Sequence, residues 1–136
     1  MSKELISING LEYSAPQNIN FSLKINKFVL NKSDSILIYG ESGAGKSTFL
    51  NLLSGTLNSK KGNINILGTD ITKTSSSQKD MIRGDHFGIV FQTFNLLPYL
   101  TVKNNILLGS AYSRRKTIKS NNEEVKVLMD KLALNY

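Results

Sequence analysis

A glycine-rich turn that ends in a lysine and two hydroxyl residues constrains this chain more than any other feature. The segment Gly40–Thr48 fits the pattern G-x-x-x-x-G-K-S/T. An apolar run precedes it at Ser35–Tyr39, and a helical pattern follows it in which Phe49, Leu52 and Leu53 share one face. A buried strand, a tight turn and an amphipathic helix in this order predict an α/β fold with a phosphate-binding loop.

The residue types of this loop suit a nucleotide and its metal ion. Glycines let backbone N–H groups point at phosphate oxygens, and the dipole of the following helix favours the same negative charge. Lys46 would place a positive charge at the β- and γ-phosphates, and the Ser47 hydroxyl could bind Mg²⁺. A glycine-rich turn that merely joins a strand to a helix is the alternative, and the flanking patterns argue against it. The predicted nucleotide-binding residues are Gly40, Glu41, Ser42, Gly43, Ala44, Gly45, Lys46, Ser47 and Thr48.

Composition excludes several other classes of protein. A chain of 136 residues, of which 40% are hydrophobic, suits one soluble globular domain. The absence of cysteine and the single histidine, His86, exclude a disulfide scaffold and a multi-histidine metal site within this chain. No apolar run approaches the roughly 20 residues that span a bilayer, and the first ten residues do not resemble a signal peptide. We therefore expect the chain to stay on the side of the membrane where it is made.

The net charge of +7 invites a nucleic-acid interpretation, but the distribution of the charge opposes it. Lysines are scattered along the whole chain, and the only arginines are Arg83, Arg114 and Arg115. Base recognition favours bidentate arginine, and tracking of a nucleic-acid backbone favours a dense basic patch with interleaved aromatic residues. We therefore expect that nucleic acid is not the main partner.

Two further patterns bear on the class of phosphate-loop protein. Asn31–Asp34 spells the guanine-reading N-K-x-D of GTPases, but it lies just before the loop instead of far downstream, so we interpret it as a turn. No aspartate follows an apolar strand after the loop, so the usual second anchor for Mg²⁺ is missing. The strongest later candidate for a buried strand is Phe87–Phe91, and it ends in Gln92.

Four stretches of the chain together resemble the N-terminal half of the nucleotide-binding subunit of ABC transporters. They are Tyr13, Gly40–Asn51, Gly62–Gly68, and Phe87–Pro98 with its continuation Leu100–Ile106. The resemblance implies that Gln92 contacts Mg²⁺ and the attacking water and responds to the membrane partner. It also implies that Tyr13, which precedes Gly40 by 27 residues, stacks on adenine. The stretch Phe94–Leu100 is most similar to the lipoprotein-releasing and macrolide-exporter type.

The family resemblance extends to fold and function. It implies an α/β P-loop NTPase core with antiparallel N-terminal strands in residues 1–92, and an incomplete helical subdomain in residues 93–136. The implied activity is binding of ATP with Mg²⁺ and, in the complete subunit, hydrolysis that drives transport by a transmembrane permease. The implied partners are that permease and a second ATP-binding subunit, paired head to tail on the cytoplasmic face of the cell membrane.

The sequence also departs from this family. The Leu-Ser-Gly-Gly-Gln signature, the Walker B run with its catalytic glutamate and the switch histidine are absent from these 136 residues. We therefore expect a partial subunit that binds ATP without efficient turnover alone, with Lys46 and Gln92 as its catalytic candidates and Ser47 and Gln92 at the metal. Two alternatives stay open: a non-hydrolysing nucleotide-binding module, and a soluble ABC-type ATPase that acts on nucleic acid.

Overall fold

A computed structural model describes residues 4–16, 18–111 and 121–134 of the chain. The chain divides into two compact units, Met1–Lys79 and Asp80–Tyr136. The boundary between these units lies inside a helix, whereas the family resemblance places a functional division after Gln92, which stays a prediction.

The first unit is built on a four-stranded antiparallel sheet with the strand order β2-β1-β3-β4. Its strands are β1 (Glu4–Ala15), β2 (Asn18–Asn31), β3 (Lys61–Ile66) and β4 (Thr69–Asp70). Ile8 of the central strand β1 lies opposite Phe28 of β2 on one side and opposite Ile64 of β3 on the other. The register between β1 and β3 shifts between Asn9 and Glu12, so that β1 carries one extra residue at a β-bulge.

The helix after the glycine-rich loop is α1 (Lys46–Leu53), and its apolar face is buried as the sequence pattern predicts. Phe49, Leu52 and Leu53 are each at most 8% exposed. The Phe49 ring meets the ring of Phe28 on β2 edge to face, with centroids 5.3 Å apart. Each such buried side chain contributes about 1.5–3 kcal/mol, so this contact anchors the start of the helix to the sheet.

Two apolar runs that the sequence predicts as buried strands are not strands in the structure. In Ser35–Tyr39, Leu37 is 83% exposed and Tyr39 is 87% exposed. In Phe87–Phe91, Val90 is 98% exposed. Both predictions are wrong for this chain. An apolar run becomes a central strand only where neighbouring strands pair with its backbone, and no strand among the described residues pairs with either run.

Short helical elements follow the sheet. A 3₁₀ helix spans Ile71–Lys73, and α2 (Ser76–His86) crosses the boundary between the units. The Asp70 carboxylate accepts hydrogen bonds from the backbone N–H of Thr72 at 3.1 Å and from the Thr72 hydroxyl at 2.6 Å. Partial burial raises the pKa of Asp70, but these hydrogen bonds and the nearby Lys73 ammonium outweigh that effect, so the pKa is lowered.

The second unit contains α3 (Val102–Ala111) and α4 (Asn121–Lys131), which contact each other. Thr101 caps α3, because its hydroxyl accepts a hydrogen bond from the Asn104 N–H at 3.2 Å. Every helix in the described ranges is too short or too polar to cross a bilayer.

The α4 sequence predicts one apolar stripe, and the structure buries only part of it. Val125 is 6% exposed, whereas Leu128 and Leu132 are 42% and 57% exposed. The pattern Ser120–Glu123 also predicts a capping box with Ser120 as the capping residue, and Ser120 lies outside the described residues. The spacing of the stripe therefore predicts the helix correctly but overstates how much of its face is covered.

Candidate nucleotide-binding site

The backbone of the loop between Tyr39 and α1 adopts a conformation that glycine tolerates best. Gly43 and Gly45 have φ angles of +84° and +94°. A Cβ atom at Gly45 would lie 3.0 Å from Cζ of Phe21 and 3.6 Å from Cδ1 of Leu23 on β2. Because L-residues with a side chain strain in this region, the loop keeps its shape through these two glycines.

The Lys46 side chain folds back over the loop. Its Nζ donates hydrogen bonds to the carbonyl oxygens of Gly40 at 2.8 Å and Glu41 at 2.7 Å. An ammonium group has three hydrogens, so one donor is left for an anion. The two bonds hold the charge at the start of the loop, which reduces the conformational entropy that Lys46 would lose on binding a phosphate.

The backbone amides at the start of α1 also suit the binding of a phosphate. The first helical hydrogen bond runs from the N–H of Phe49 to the carbonyl of Gly45 at 2.8 Å. Within the described part of the chain, the N–H groups of Gly45, Lys46, Ser47 and Thr48 donate to no protein acceptor, and the first turn contains no acidic residue. Open amides at the positive end of a helix dipole favour an anion.

The residues of the loop fit a magnesium ion that is held chiefly by a nucleotide. Among the described residues, no group of three or more His, Cys, Asp or Glu side chains could hold a metal by itself. Ser47 is exposed next to the open amides and presents a hydroxyl. Mg²⁺ commonly takes one or two protein ligands together with substrate phosphates and waters, so a single hydroxyl beside a phosphate site is compatible with it.

The two residues that the family resemblance adds to the site differ in their surroundings. Tyr13 is only 8% exposed, and its ring packs edge to face against Phe21, with centroids 6.4 Å apart. A ring that stacks on adenine needs an open face, so the structure describes Tyr13 as a core residue and its role toward adenine stays a prediction. Gln92 lies in the second unit, where its side chain is exposed, and its proposed part in catalysis also stays a prediction.

Side chains of β2 pack against the phosphate loop and α1, which the sequence interpretation did not predict. Phe21 and Leu23 of β2 occupy the space that a side chain at Gly45 would enter, and the Phe28 ring contacts the Phe49 ring of the helix. The partial apolar alternation of β2 was the available signal, but alternation alone does not reveal which element a strand supports.

The turn interpretation of Asn31–Asp34 is confirmed. The Asp34 carboxylate accepts a hydrogen bond from the Asn31 backbone N–H at 2.8 Å, and the Asp34 N–H donates to the Asn31 carbonyl at 3.2 Å. Ser33 between them has a φ of +71°. The aspartate is therefore occupied in closing a turn before the loop.

Comparison with known proteins assigns the family. Residues 23–136 match the family model described as ABC transporter. The chain belongs to this ABC transporter family. A related protein, the ABC transporter ATP-binding protein YtrE of Bacillus subtilis (strain 168), is 38% identical over 122 residues, which cover 90% of this chain and 49% of YtrE. The lipoprotein-releasing system ATP-binding protein LolD of Wigglesworthia glossinidia brevipalpis is 33% identical over 133 residues, covering 90% of this chain and 58% of LolD.

Solved ABC structures share the fold. The MJ0796 ATP-binding cassette, in a dimeric post-hydrolysis state bound to ADP and Pi, matches with a TM-score of 0.70 and 22% identity over 93% of this chain and 56% of that chain. A nucleotide-free ATP-binding cassette from an ABC transporter matches with a TM-score of 0.61 and 28% identity, over 87% of this chain and 44% of that chain. The predicted fold and family resemblance are confirmed, and the chain spans about half the length of these ABC relatives.

Proposed function

We propose that this chain binds MgATP at Gly40–Thr48 and forms the nucleotide-binding part of an ABC transporter. One observation carries the proposal: the Lys46 ammonium is held at the start of the loop, beside a helix end whose amides have no protein acceptor in the described residues. This arrangement combines a positive charge with directional N–H donors, which is what a chain of phosphates requires. Membership of the ABC transporter family supports ATP as the nucleotide.

The proposed chemistry of this chain is incomplete. Transfer of the γ-phosphoryl group to water needs neutralisation of its charge and a positioned water molecule. Lys46 would bind and orient the phosphates, with Ser47 and Gln92 as the proposed ligands of Mg²⁺, which when bound supplies further neutralisation. The sequence contains no Walker B run and no catalytic glutamate to act as a general base. We therefore expect binding without efficient turnover by the chain alone.

The proposed partners follow from the family. ABC ATP-binding proteins act with transmembrane permeases, so we propose a permease and a second ATP-binding subunit, arranged head to tail. Two MJ0796 structures that share this fold are dimeric. In this setting the chain would lie on the cytoplasmic face of the cell membrane, attached through its partner.

A non-hydrolysing nucleotide-binding module is the competing function. MgATP affinity with no turnover, even when a permease and a second subunit are supplied, would support this alternative. A soluble ABC-type ATPase that acts on nucleic acid would instead be retained on nucleic acid in a strongly salt-dependent way.

Calorimetric titration of MgATP into the purified chain tests the binding proposal. We expect Lys46→Ala to weaken the affinity by at least about tenfold, because hydrogen bonds to charged groups contribute about 1.5–3 kcal/mol. The matched control is Lys61→Ala, which removes an exposed lysine that pairs with Glu12 at 3.2 Å and should change the affinity by less than about twofold. Equal affinities for the wild-type chain and Lys46→Ala would refute the assignment of the site.

A further inference from the structure

Two aromatic rings link the sheet of the first unit to the phosphate loop. The Tyr13 ring on β1 packs edge to face against the Phe21 ring on β2, with centroids 6.4 Å apart and ring planes at 67°. Cζ and Cε2 of the same Phe21 ring lie 3.0 and 3.4 Å from the position that a Cβ atom at Gly45 would take. Phe21 thus packs against Tyr13 and also fills the space beside Gly45, and we call Tyr13 and Phe21 the aromatic pair.

The register of the sheet explains why both rings lie on the side of the loop. Tyr13 lies directly opposite Leu23 in the ladder between β1 and β2, and Cδ1 of Leu23 lies 3.6 Å from the same Cβ position at Gly45. Residues opposite each other across a ladder share one face of a sheet, and so do residues two positions apart in a strand. Tyr13, Phe21 and Leu23 therefore share the face of the sheet that lies against the loop.

The close fit at Gly45 depends on the absence of a side chain. Gly45 has a φ of +94°, and the edge of the Phe21 ring occupies the space that a Cβ atom would enter. A Cβ atom is only one bond from Cα, so the ring edge leaves little room beside the Gly45 backbone. Because van der Waals packing is steeply repulsive at short range, the Phe21 ring limits movement of Gly45 toward β2.

Gly45 is also the residue of the loop whose position affects the most donors. Its carbonyl accepts the first hydrogen bond of α1, from the N–H of Phe49 at 2.8 Å. Its own N–H and those of the next three residues have no protein acceptor among the described residues. Hydrogen bonds weaken steeply as the donor turns away from the acceptor, so a displaced Gly45 would impair several contacts to a phosphate at once.

The burial of Tyr13 favours a role in this support. Tyr13 is 8% exposed, whereas Phe21 is half-buried. A ring that is covered to this extent presents little of its face to a nucleobase, but it can hold a neighbouring ring in place. The contact of Tyr13 with Phe21 is therefore the route by which it can act on the loop.

We propose that the aromatic pair positions the phosphate loop. Tyr13 supports the Phe21 ring, and Phe21 holds the Gly45 backbone so that the N–H donors of the loop face the phosphates. Both are positioning residues, because they act through Gly45. Tyr13 then affects nucleotide affinity through the phosphates and not through the base. The proposal rests on the proposed binding of MgATP at Gly40–Thr48, and stacking of Tyr13 on adenine is the alternative.

Two ligands that differ in the base separate these roles. The purified chain is titrated calorimetrically with MgATP and with magnesium tripolyphosphate, which has three phosphates but neither base nor sugar. We expect Tyr13→Leu to weaken the binding of both ligands by about threefold and Phe21→Leu to weaken both by about tenfold. The ratio of the two affinities should stay within about twofold of the wild-type ratio, because the aromatic pair acts on the part that the ligands share.

Further variants test the link between the two rings. In the Phe21→Leu background, Tyr13→Leu should cause less than about twofold further loss, because the ring through which it acts is gone. Tyr13→Phe keeps the ring and should leave both affinities within about twofold of wild type. The control Ile66→Ala removes buried apolar atoms from β3, which β1 separates from β2, and should change both affinities by less than about twofold.

The amide resonance of Gly45 reports on the loop without any ligand. A nearby aromatic ring shifts the resonances of the nuclei around it, so a displaced Phe21 ring changes the Gly45 signal. We expect this signal to move in ¹⁵N–¹H spectra of Tyr13→Leu and to stay in place in Ile66→Ala. Circular dichroism verifies the fold of each variant, and Phe21→Met, which also lacks the ring, is the second variant if Phe21→Leu does not fold.

Three results would overturn the proposal. They are a Tyr13→Leu variant that loses affinity for MgATP but not for tripolyphosphate, wild-type affinities in Phe21→Leu, and an unchanged Gly45 resonance in Tyr13→Leu. A wild-type chain that binds neither ligand would refute the proposed nucleotide site instead. The Gly45 resonance would then still decide whether the aromatic pair positions the loop, so the two failures are distinguishable.

Discussion

Replacement of Gly62 by alanine tests the close approach of β1 and β3. A Cβ atom at this position would lie 2.3 Å from the carbonyl oxygen and 2.5 Å from the carbonyl carbon of Gly10, and 2.6 Å from Cα of Leu11. All three contacts are to backbone, so no side-chain rotation relieves them. The strands would have to separate by about 1 Å, next to the hydrogen bond of 2.8 Å from the Lys60 N–H to the Glu12 carbonyl.

The expected magnitude follows from three contributions. The φ of +81° at Gly62 costs a residue with a side chain about 1–2 kcal/mol. Overpacking adds about 1–3 kcal/mol, and the smaller conformational entropy of the unfolded alanine chain offsets about 0.4–1 kcal/mol. We expect Gly62→Ala to lower the free energy of unfolding by about 3 kcal/mol, a large part of the roughly 5–15 kcal/mol of a typical domain.

Gly68→Ala is the matched control for this prediction. Gly68 has nearly the same φ, +84°, but a Cβ there would meet nothing within 4 Å. Gly68→Ala should therefore lower the free energy of unfolding by only about 1 kcal/mol, which is the backbone strain minus the offset from the smaller entropy of the unfolded chain. Urea denaturation followed by circular dichroism measures both variants. Equal losses of stability would refute the argument that backbone contact between β1 and β3 requires glycine at position 62.

Three further predictions concern the loop, the acid stability and the second unit. Gly45→Ala should lower the free energy of unfolding by about 2 kcal/mol and weaken MgATP binding, because it combines backbone strain with contact to the Phe21 ring. A Cβ atom at Gly43 would meet nothing within 4 Å, so Gly43→Ala should have a smaller effect in the same denaturation and titration assays. The pKa of Asp70 is lowered on folding, so its charge stabilises the fold above the unfolded pKa, and this stability is lost as pH falls through the lower folded pKa. Asp70→Asn should accordingly flatten the loss of unfolding free energy below about pH 4, and an unchanged pH profile would contradict this assignment. Asn105→Ala removes the side-chain hydrogen bonds to the N–H and carbonyl of Leu97, which measure 2.8 and 3.1 Å. Hydrogen exchange should show that the free energy of local opening around Leu97 falls by about 2 kcal/mol.

Features that depend on neighbouring residues were predictable from the sequence. The positive φ angles of Gly43 and Gly45 and the buried face of α1 follow from residue type and a spacing of three to four residues. The turn at Asn31–Asp34 was predictable for the same reason, because an aspartate side chain closes it locally. The family resemblance likewise depends on short motifs whose chemistry is carried within a few residues.

Burial of individual segments was not predictable, because it depends on elements far away in the chain. Apolar composition predicts that Ser35–Tyr39 and Phe87–Phe91 prefer to be covered, but not whether a partner strand reaches them. For Tyr13, the family resemblance implied stacking on adenine, which stays a prediction, and the structure packs the Tyr13 ring against Phe21 in the core.

The sequence by itself determined the positive φ angles of the glycines in the loop and the helix that follows them. Only the tertiary structure decided which apolar segments were buried, and that the ammonium of Lys46 rests on the carbonyls of Gly40 and Glu41. The physical reason is the range of the forces involved. Backbone conformation and capping act over a few bonds, whereas burial requires surfaces that are distant in the chain to meet in space.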